Sequence, residues 1–363
     1  MNNKRIPALL LAILLLTGLL AGCGTTVVVT PEGNQTPSGS TPAPEQTTPG
    51  DPVQPKGDGS VRTGLSVVTD LGSSKDASAE GDGVAQSDIV LIAVTVDEDG
   101  VIDDCVIDAV QVKIGFDVSG KLTTDPATTF LSKNELGDDY GMRKASSIGK
   151  EWNEQLAALA DYAVGKKVSE LKGLAVNETG KAGDADLAAS VTLYIGAFVD
   201  GIMDAADNSQ DLGASKGDKL GLASVTNMSK SKDASADGDG LAQAYSTFAA
   251  VTFNGDTVTS CYIDAVQANV NFDAAGKITT DLTAAPKTKN ELGDDYGMRK
   301  ASSIGKEWNE QAAGFSAYVT GKTLSEIAGL AVDEGGKAAD ADLAATITVS
   351  IGEFQELVEK AAQ

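Results

Sequence analysis

The sequence predicts an α+β fold: two tandem copies of one domain, each an antiparallel sheet followed by helices, behind an export signal and a disordered tether. Three observations predict it. Lys133 to Gln155 (KNELGDDYGMRKASSIGKEWNEQ) returns without a change as Lys289 to Gln311, 156 positions later. Within each copy, apolar residues alternate first with the period of a strand and only afterwards with that of a helix, which is the order of an α+β domain and not of βαβ units. Residues 1–60 carry neither pattern. The resulting divisions are 1–22 (signal peptide), 23–60 (anchor and tether), 61–206 (copy one), 207–219 (linker) and 220–363 (copy two).

In chain order, Lys4 and Arg5 precede an apolar run of 13 residues, Ala8 to Leu20, which ends at Leu20-Ala21-Gly22-Cys23. The run is short for a bilayer span and has the layout of a cleaved export signal. Its last four residues resemble the bacterial lipoprotein box, which implies that Cys23 receives a diacylglycerol and becomes the first residue. Two acyl chains suffice for stable anchoring in a lipid bilayer, where one is marginal. From Gly24 to Ser60 the chain holds seven of its ten prolines among Thr, Gly, Ser and Gln. Such a segment cannot bury enough surface to offset its ordering entropy. It is expected to act as a tether reaching about 35 Å as a coil and about 115 Å if fully polyproline-like.

Each copy then reads alike. KDASAEGDG (Lys75 to Gly83) pairs with KDASADGDG (Lys232 to Gly240) at an offset of 157, and Cys105 pairs with Cys261 at 156. The missing residue falls where DEDG (Asp97 to Gly100) faces NGD (Asn254 to Asp256), a place where a hairpin turn tolerates it. Val110, Val112, Ile114 and Phe116, matched by Val266, Ala268, Val270 and Phe272, alternate with mostly polar residues as in a half-buried strand. Ile148, Trp152, Leu156, Leu159 and Ala163, matched by Ile304, Trp308, Ala312, Phe315 and Val319, have helical spacing. DADLAAS (Asp184 to Ser190) and DADLAAT (Asp340 to Thr346) are expected to open a last helix, with Val191, Ile195, Phe198 and Ile202 on one face. Asp184 and Asp340 would cap it, and the hydroxyls of Ser190 and Thr346 would lie near its N-terminus, where a phosphate is well held.

Composition narrows the chemistry. The chain has no histidine, which removes Ser-His-Asp and Cys-His nucleophile pairs, His-ligated metals and haem attachment. With 28 basic and 52 acidic residues the net charge is −24, which argues against nucleic-acid binding through a basic face. KDASAEGDG lacks the acidic twelfth residue of a calcium loop, where Ser87 and Ala244 stand, so a Gly-rich turn is expected there. Cys105 and Cys261 lie in apolar strand-like stretches and read as small buried hydrophobes, a redox thiol being the alternative. The identical block has a loop-like front, Asn134 to Met142, ahead of the helix of Trp152, and its invariance within an otherwise diverged pair suggests more than packing.

DADLAASVT and DADLAATIT resemble the attachment motif of the FMN-binding domain family, Asp-x-x-(Ser/Thr)-Gly-Ala-(Thr/Ser)-x-(Thr/Ser). Leu187 and Leu343 depart from its Ser/Thr, and Ala188 and Ala344 from its Gly. The resemblance implies two tandem FMN-binding-type domains, each modified by a flavin transferase that uses FAD and a divalent metal to join FMN covalently to Ser190 and Thr346. Asp184 and Asp340 would be the leading Asp of the motif. Leu136, Gly137, Tyr140, Gly141 and Met142, with Leu292, Gly293, Tyr296, Gly297 and Met298, would line the flavin. With the lipoprotein box and tether, the chain is similar to two-domain flavinylated lipoproteins of extracellular electron transfer in Gram-positive bacteria. That implies an electron carrier on the outer face of the cell membrane, between a membrane NADH dehydrogenase and quinone pool and extracellular acceptors such as ferric iron. The other readings are a non-redox surface lipoprotein that binds a solute or wall polymer, and a reductase with one small substrate.

Overall fold

The computed structural model describes residues 59–174 and 176–363. The expected signal peptide, Cys23 and nearly all of the tether lie outside the described residues. The first repeat runs β1 (Arg62–Asp70), β2 (Gly83–Val96), β3 (Ile102–Phe116), α1 (Lys133–Leu136), a 3₁₀ turn (Gly137–Tyr140), α2 (Trp152–Ala163), α3 (Val168–Leu171), α4 (Ala185–Ala188) and α5 (Gly196–Asp207). The second follows in the same order: β4 (Lys219–Asn227), β5 (Gly240–Asn254), β6 (Thr257–Phe272), α6 (Lys289–Leu292), a 3₁₀ turn (Gly293–Tyr296), α7 (Trp308–Val319), α8 (Leu324–Ala328), α9 (Ala341–Ala344) and α10 (Gly352–Ala361). The architecture is thus mixed α+β, with two three-stranded antiparallel sheets in the orders β1-β2-β3 and β4-β5-β6.

Each sheet has two apolar faces. In β3, Cys105, Ile107 and Ala109 face the helices, where they join Trp152, Leu156, Leu159, Ile195 and Ile202 in one core. Val110, Val112, Ile114 and Phe116 belong to a second core, shared with Phe248, Val266, Ala268, Val270 and Phe272 of the other repeat. The alternation in the sequence therefore marks the face on which sheet packs against sheet. Near the hairpins both faces are covered, so residues Leu91 to Val96 are buried without interruption. The shorter turn of the second repeat is a two-residue hairpin between Asn254 and Thr257, and the first repeat takes up its extra residue beyond a bulge at Thr95/Val96.

The contact between repeats is reciprocal. Phe116 and Phe272 stack on each other, 4.2 Å between centroids and 5° apart in plane. The Ala77 N–H donates to Gly276 O, and the Ala234 N–H donates to Gly120 O. Asp76 accepts from the Ile278 N–H, and Asp233 accepts from the Leu122 N–H. Such exchange, residue for equivalent residue, defines a pseudo-two-fold arrangement of the kind found in symmetric dimers. The KDASA loops are the grips of this contact. Gly120 (φ +71°) and Gly276 (φ +69°) serve it twice, by a backbone conformation that L side chains rarely adopt and by room, since a β-carbon there would meet Ala234 or Ala77 within 2.7 Å.

One expected element differs. DADLAA does not open the terminal helix: it forms the separate turn α4 or α9, and the terminal helices begin at Gly196 and Gly352. Val191 and Ile195 precede α5 in an irregular stretch that bridges Lys181 through Tyr194. Ser190 and Thr346 therefore lie just past the C-terminal end of a one-turn helix, and the expected phosphate cradle of a long helix N-terminus is not formed there. Ile148 likewise lies in the loop before α2.

Candidate functional site

The identical block folds on itself, and the bonds that do so recur in both repeats while those to its surroundings differ. Ser132 and Thr288 cap α1 and α6, accepting from Glu135 N–H and Glu291 N–H, while those glutamates accept from the N–H of the caps. Asp108 Oδ1, on β3, accepts from the N–H groups of Ala109 (2.7 Å) and Asn134 (3.0 Å) and so ties the block to the sheet. Asp264 does the same with Ala265 and Asn290. Burial pushes both carboxyls up to about 6.

The loop after the 3₁₀ turn closes around buried Glu151, whose carboxylate accepts from the Met142 and Arg143 N–H groups at 2.8 and 2.6 Å. Arg143 pairs with Asp138 and Glu154 and donates to Gly149 O. Arg299 repeats this with Asp294, Glu310 and Gly305 O. The exposed ion pairs add little singly, but the buried glutamate accepts from two amides that would otherwise lack partners.

Block and motif are joined by a residue that the sequence pattern did not single out. Gln155, fully buried on α2, donates to Ser146 Oγ and Lys150 O while its Oε1 accepts from Thr192 N (2.9 Å) and Thr192 Oγ1 (3.1 Å). Gln311 holds Thr348 identically, at 2.8 and 3.1 Å. The trailing Thr of the motif is thus fixed to the block. Its leading residue has a local duty: Asp184 Oδ1 accepts from Asp186 and Leu187 N–H, and Asp340 Oδ1 from Leu343 N–H. The Leu343 amide holds the Asp340 carboxyl below its ordinary range.

Ser190 and Thr346 are half-buried. Thr346 Oγ1 donates to Leu343 O at 2.9 Å, and its side chain abuts Gly314 of α7. Nearby, a cavity of about 380 Å³ is lined by Tyr296, Met298 and Trp308 from the block side and by Val349, Ser350 and Phe354 from the chain that follows Thr346. That volume is at the small end for ligand sites. At its wall Lys289 Nζ stands 4.5 to 4.7 Å from the ring centroids of Tyr245, Tyr296 and Trp308 and donates to Tyr245 Oη. Burial lowers Lys289 to about 8 and raises Glu353, which also lines the cavity.

Of the residues expected to line a flavin, Tyr296 and Met298 reach this cavity, and Tyr140 and Met142 occupy the equivalent positions, packed on the helix-side core. Leu136 and Leu292 are half-buried in α1 and α6. Gly137 and Gly293 (φ +49°) end those helices, and Gly141 and Gly297 (φ +78° and +79°) end the 3₁₀ turns, so their duty is conformational. In repeat one Lys133 stands over Tyr140 and Trp152, with Asp88 where repeat two has Tyr245 and Ala197 where it has Glu353.

Cys105 and Cys261 are free and buried in the two helix-side cores, where burial raises both thiols, Cys261 to about 12. Among the described residues no group of three or more His, Cys, Asp or Glu is placed to hold a metal ion, and no helix is long and apolar enough to cross a membrane. No family model matches the chain, and no curated protein or solved structure is similar to it.

Proposed function

We propose that the chain is a lipid-anchored extracellular flavoprotein that carries electrons, with FMN joined covalently to Thr346 and to Ser190. The observation that carries the reading is the junction at Gln311, where the identical block is bonded to the motif segment at Thr348, one residue before the chain that lines, with the block, the cavity of Tyr296, Met298, Val349 and Ser350. In the second repeat the residues present fit such a group. Tyr296, Trp308, Phe354 and Met298 offer flat or polarizable apolar surface, and Lys289, Ser350 and Glu353 offer a few polar atoms, the usual mix of a cofactor site. Thr346 begins the short stretch of chain that leads to this cavity, and Thr348 fixes its course.

Attachment needs only the hydroxyl from this chain. In the transfer, the Oγ1–phosphorus bond forms as the pyrophosphate P–O bond of FAD breaks, AMP leaves, the hydroxyl proton goes to a base of the transferase, and nothing is oxidised or reduced. The absence of histidine and the burial of both thiols are consistent with redox chemistry supplied by a bound flavin and not by side chains. Anchoring through Cys23 and the 23–60 tether would let the carrier move between a membrane NADH dehydrogenase with its quinone pool and acceptors such as ferric iron.

Co-expression of the mature chain with a flavin transferase, followed by intact mass measurement, tests this. Two FMN additions are expected, one lost in Ser190→Ala and the other in Thr346→Ala. A wild-type chain with no added mass and no flavin fluorescence after denaturation would overturn the carrier and leave a non-redox surface lipoprotein.

A further inference from the structure

Gly314 lies in the interior of α7 with ordinary helical backbone, a place where glycine is among the poorest choices. Its conformation does not need glycine, but its neighbour does. A β-carbon at 314 would stand 2.9 Å from Thr346 Cβ, 3.1 Å from Thr346 Oγ1 and 3.3 Å from Thr346 O. None of these atoms is the free end of a flexible chain. Thr346 cannot simply swing aside either, because two residues on Thr348 is bonded to Gln311 through both N and Oγ1.

The first repeat holds the complementary pair. Position 314 corresponds to Ala158 of α2, and Thr346 corresponds to Ser190, which lacks the γ-methyl. At the equivalent positions of the two repeats one methyl group has changed sides: glycine goes with threonine and alanine with serine. A serine can retreat into the space that the threonine methyl fills, and under either pairing the hydroxyl residue is half-buried.

We propose that position 158/314 is a positioning residue that decides which hydroxyl amino acid its repeat can present for phosphodiester formation. The inference rests on the flavin-attachment reading, and the balanced step is the one given above. The helix residue sets where Oγ stands when it meets phosphorus.

The test uses the full mature chain, a flavin transferase and FAD, with site occupancy followed over time by peptide mass. In Gly314→Ala the rate at Thr346 should fall at least tenfold while Ser190 in the same molecule is modified at its usual rate, which reports a folded substrate and an active transferase. Adding Thr346→Ser should restore most of the rate. In the other repeat, Ser190→Thr should be slow and Ser190→Thr with Ala158→Gly should be fast, an arm that does not depend on how Gly314→Ala folds. Modification of Gly314→Ala at the wild-type rate, or a slow rate that Thr346→Ser does not rescue, would overturn the proposal. A wild-type chain that takes up FMN at neither site would instead overturn the attachment reading on which it rests.

Discussion

Replacing Phe116 with alanine asks whether the two repeats unfold as one body. Phe116 is fully buried and its ring lies flat on Phe272 of the other repeat at 4.2 Å. Truncating a core phenylalanine costs about 3–5 kcal/mol from lost transfer energy and the cavity left behind. The aromatic pair contributes about 0.5–1.5 kcal/mol of that beyond area burial. Since whole domains are stable by only about 5–15 kcal/mol, the change consumes a large share of the margin. The chain supplies its own reporters, because it has two tryptophans, Trp152 and Trp308, one buried in each helix-side core. Trp152→Phe and Trp308→Phe therefore give single-reporter chains whose fluorescence follows urea unfolding of one repeat at a time. If the sheet-to-sheet core couples the repeats, both reporters show one coincident transition, and Phe116→Ala shifts the Trp308 transition as far as the Trp152 transition. Phe116→Ala with Phe272→Ala should then fall short of the sum of the single changes by about 0.5–1.5 kcal/mol, since each ring loses the same partner. Separate midpoints in the parent chain, or a Trp308 transition that Phe116→Ala leaves in place, would refute the reasoning.

Two further outcomes follow from the block. Asp108 and Asp264 have folded-state values near 6 against an ordinary 3.8, raised by burial, so the stability they confer is complete below about pH 4 and lost as pH rises through 6. Asp108→Asn with Asp264→Asn keeps the Oδ1 acceptor for both amides and removes the charge. Its stability relative to wild type should therefore rise between pH 4 and 7.5, by up to about 3 kcal/mol per site, and urea midpoints that track wild type across that range would contradict this. Gln311→Ala removes four hydrogen bonds at a fully buried residue. At about 1 kcal/mol each, with buried partners left unsatisfied, the loss should be about 3–4 kcal/mol, and a loss below about 1 kcal/mol would show that the junction to Thr348 is not what holds the segment.

The elements whose signal is local were legible in the sequence. Val110, Val112, Ile114 and Phe116 predict β3, and helical spacing from Trp152 to Ala163 predicts α2, because each pattern matches the face that its own element buries. The hairpin turn was legible from a one-residue deletion. What sequence pattern missed depends on distant partners. Val191, Ile195, Phe198 and Ile202 have helical spacing, yet the stretch before Gly196 is not helical, because Gln155 takes the Thr192 N–H and Lys181 bridges Tyr194. A tertiary bond to a residue 37 positions away outweighs a local period. The KDASA loop showed its acids and glycines but not their use, since Asp76 and Asp233 meet their amides only across the pseudo-two-fold.

The same distinction separates what the repeats share from what they do not. On the sheet-to-sheet interface the residues that grip across the pseudo-two-fold are kept as like pairs, Ala77 and Ala234, Gly120 and Gly276, and Phe116 and Phe272, while apolar positions around them differ in size, with Phe248 for Leu91 and Ala268 for Val112. The helix layers lie on the opposite faces of the two sheets and meet across the repeats at the Lys360–Glu135 ion pair, which the equivalent Asp204 and Glu291 do not repeat. There the identical block coexists with changed neighbours: Tyr245 for Asp88, Ser350 for Tyr194, Glu353 for Ala197, and the glycine–threonine pair for alanine–serine. Lys289 consequently lies among three rings with a hydroxyl partner, whereas Lys133 lies over two. Under the proposed function, identity in the block with divergence around it is what one chemistry in two unequal surroundings would require. Packing alone would not require it, because the diverged helix-side cores accept Ala312 for Leu156 and Phe315 for Leu159 without loss of the fold.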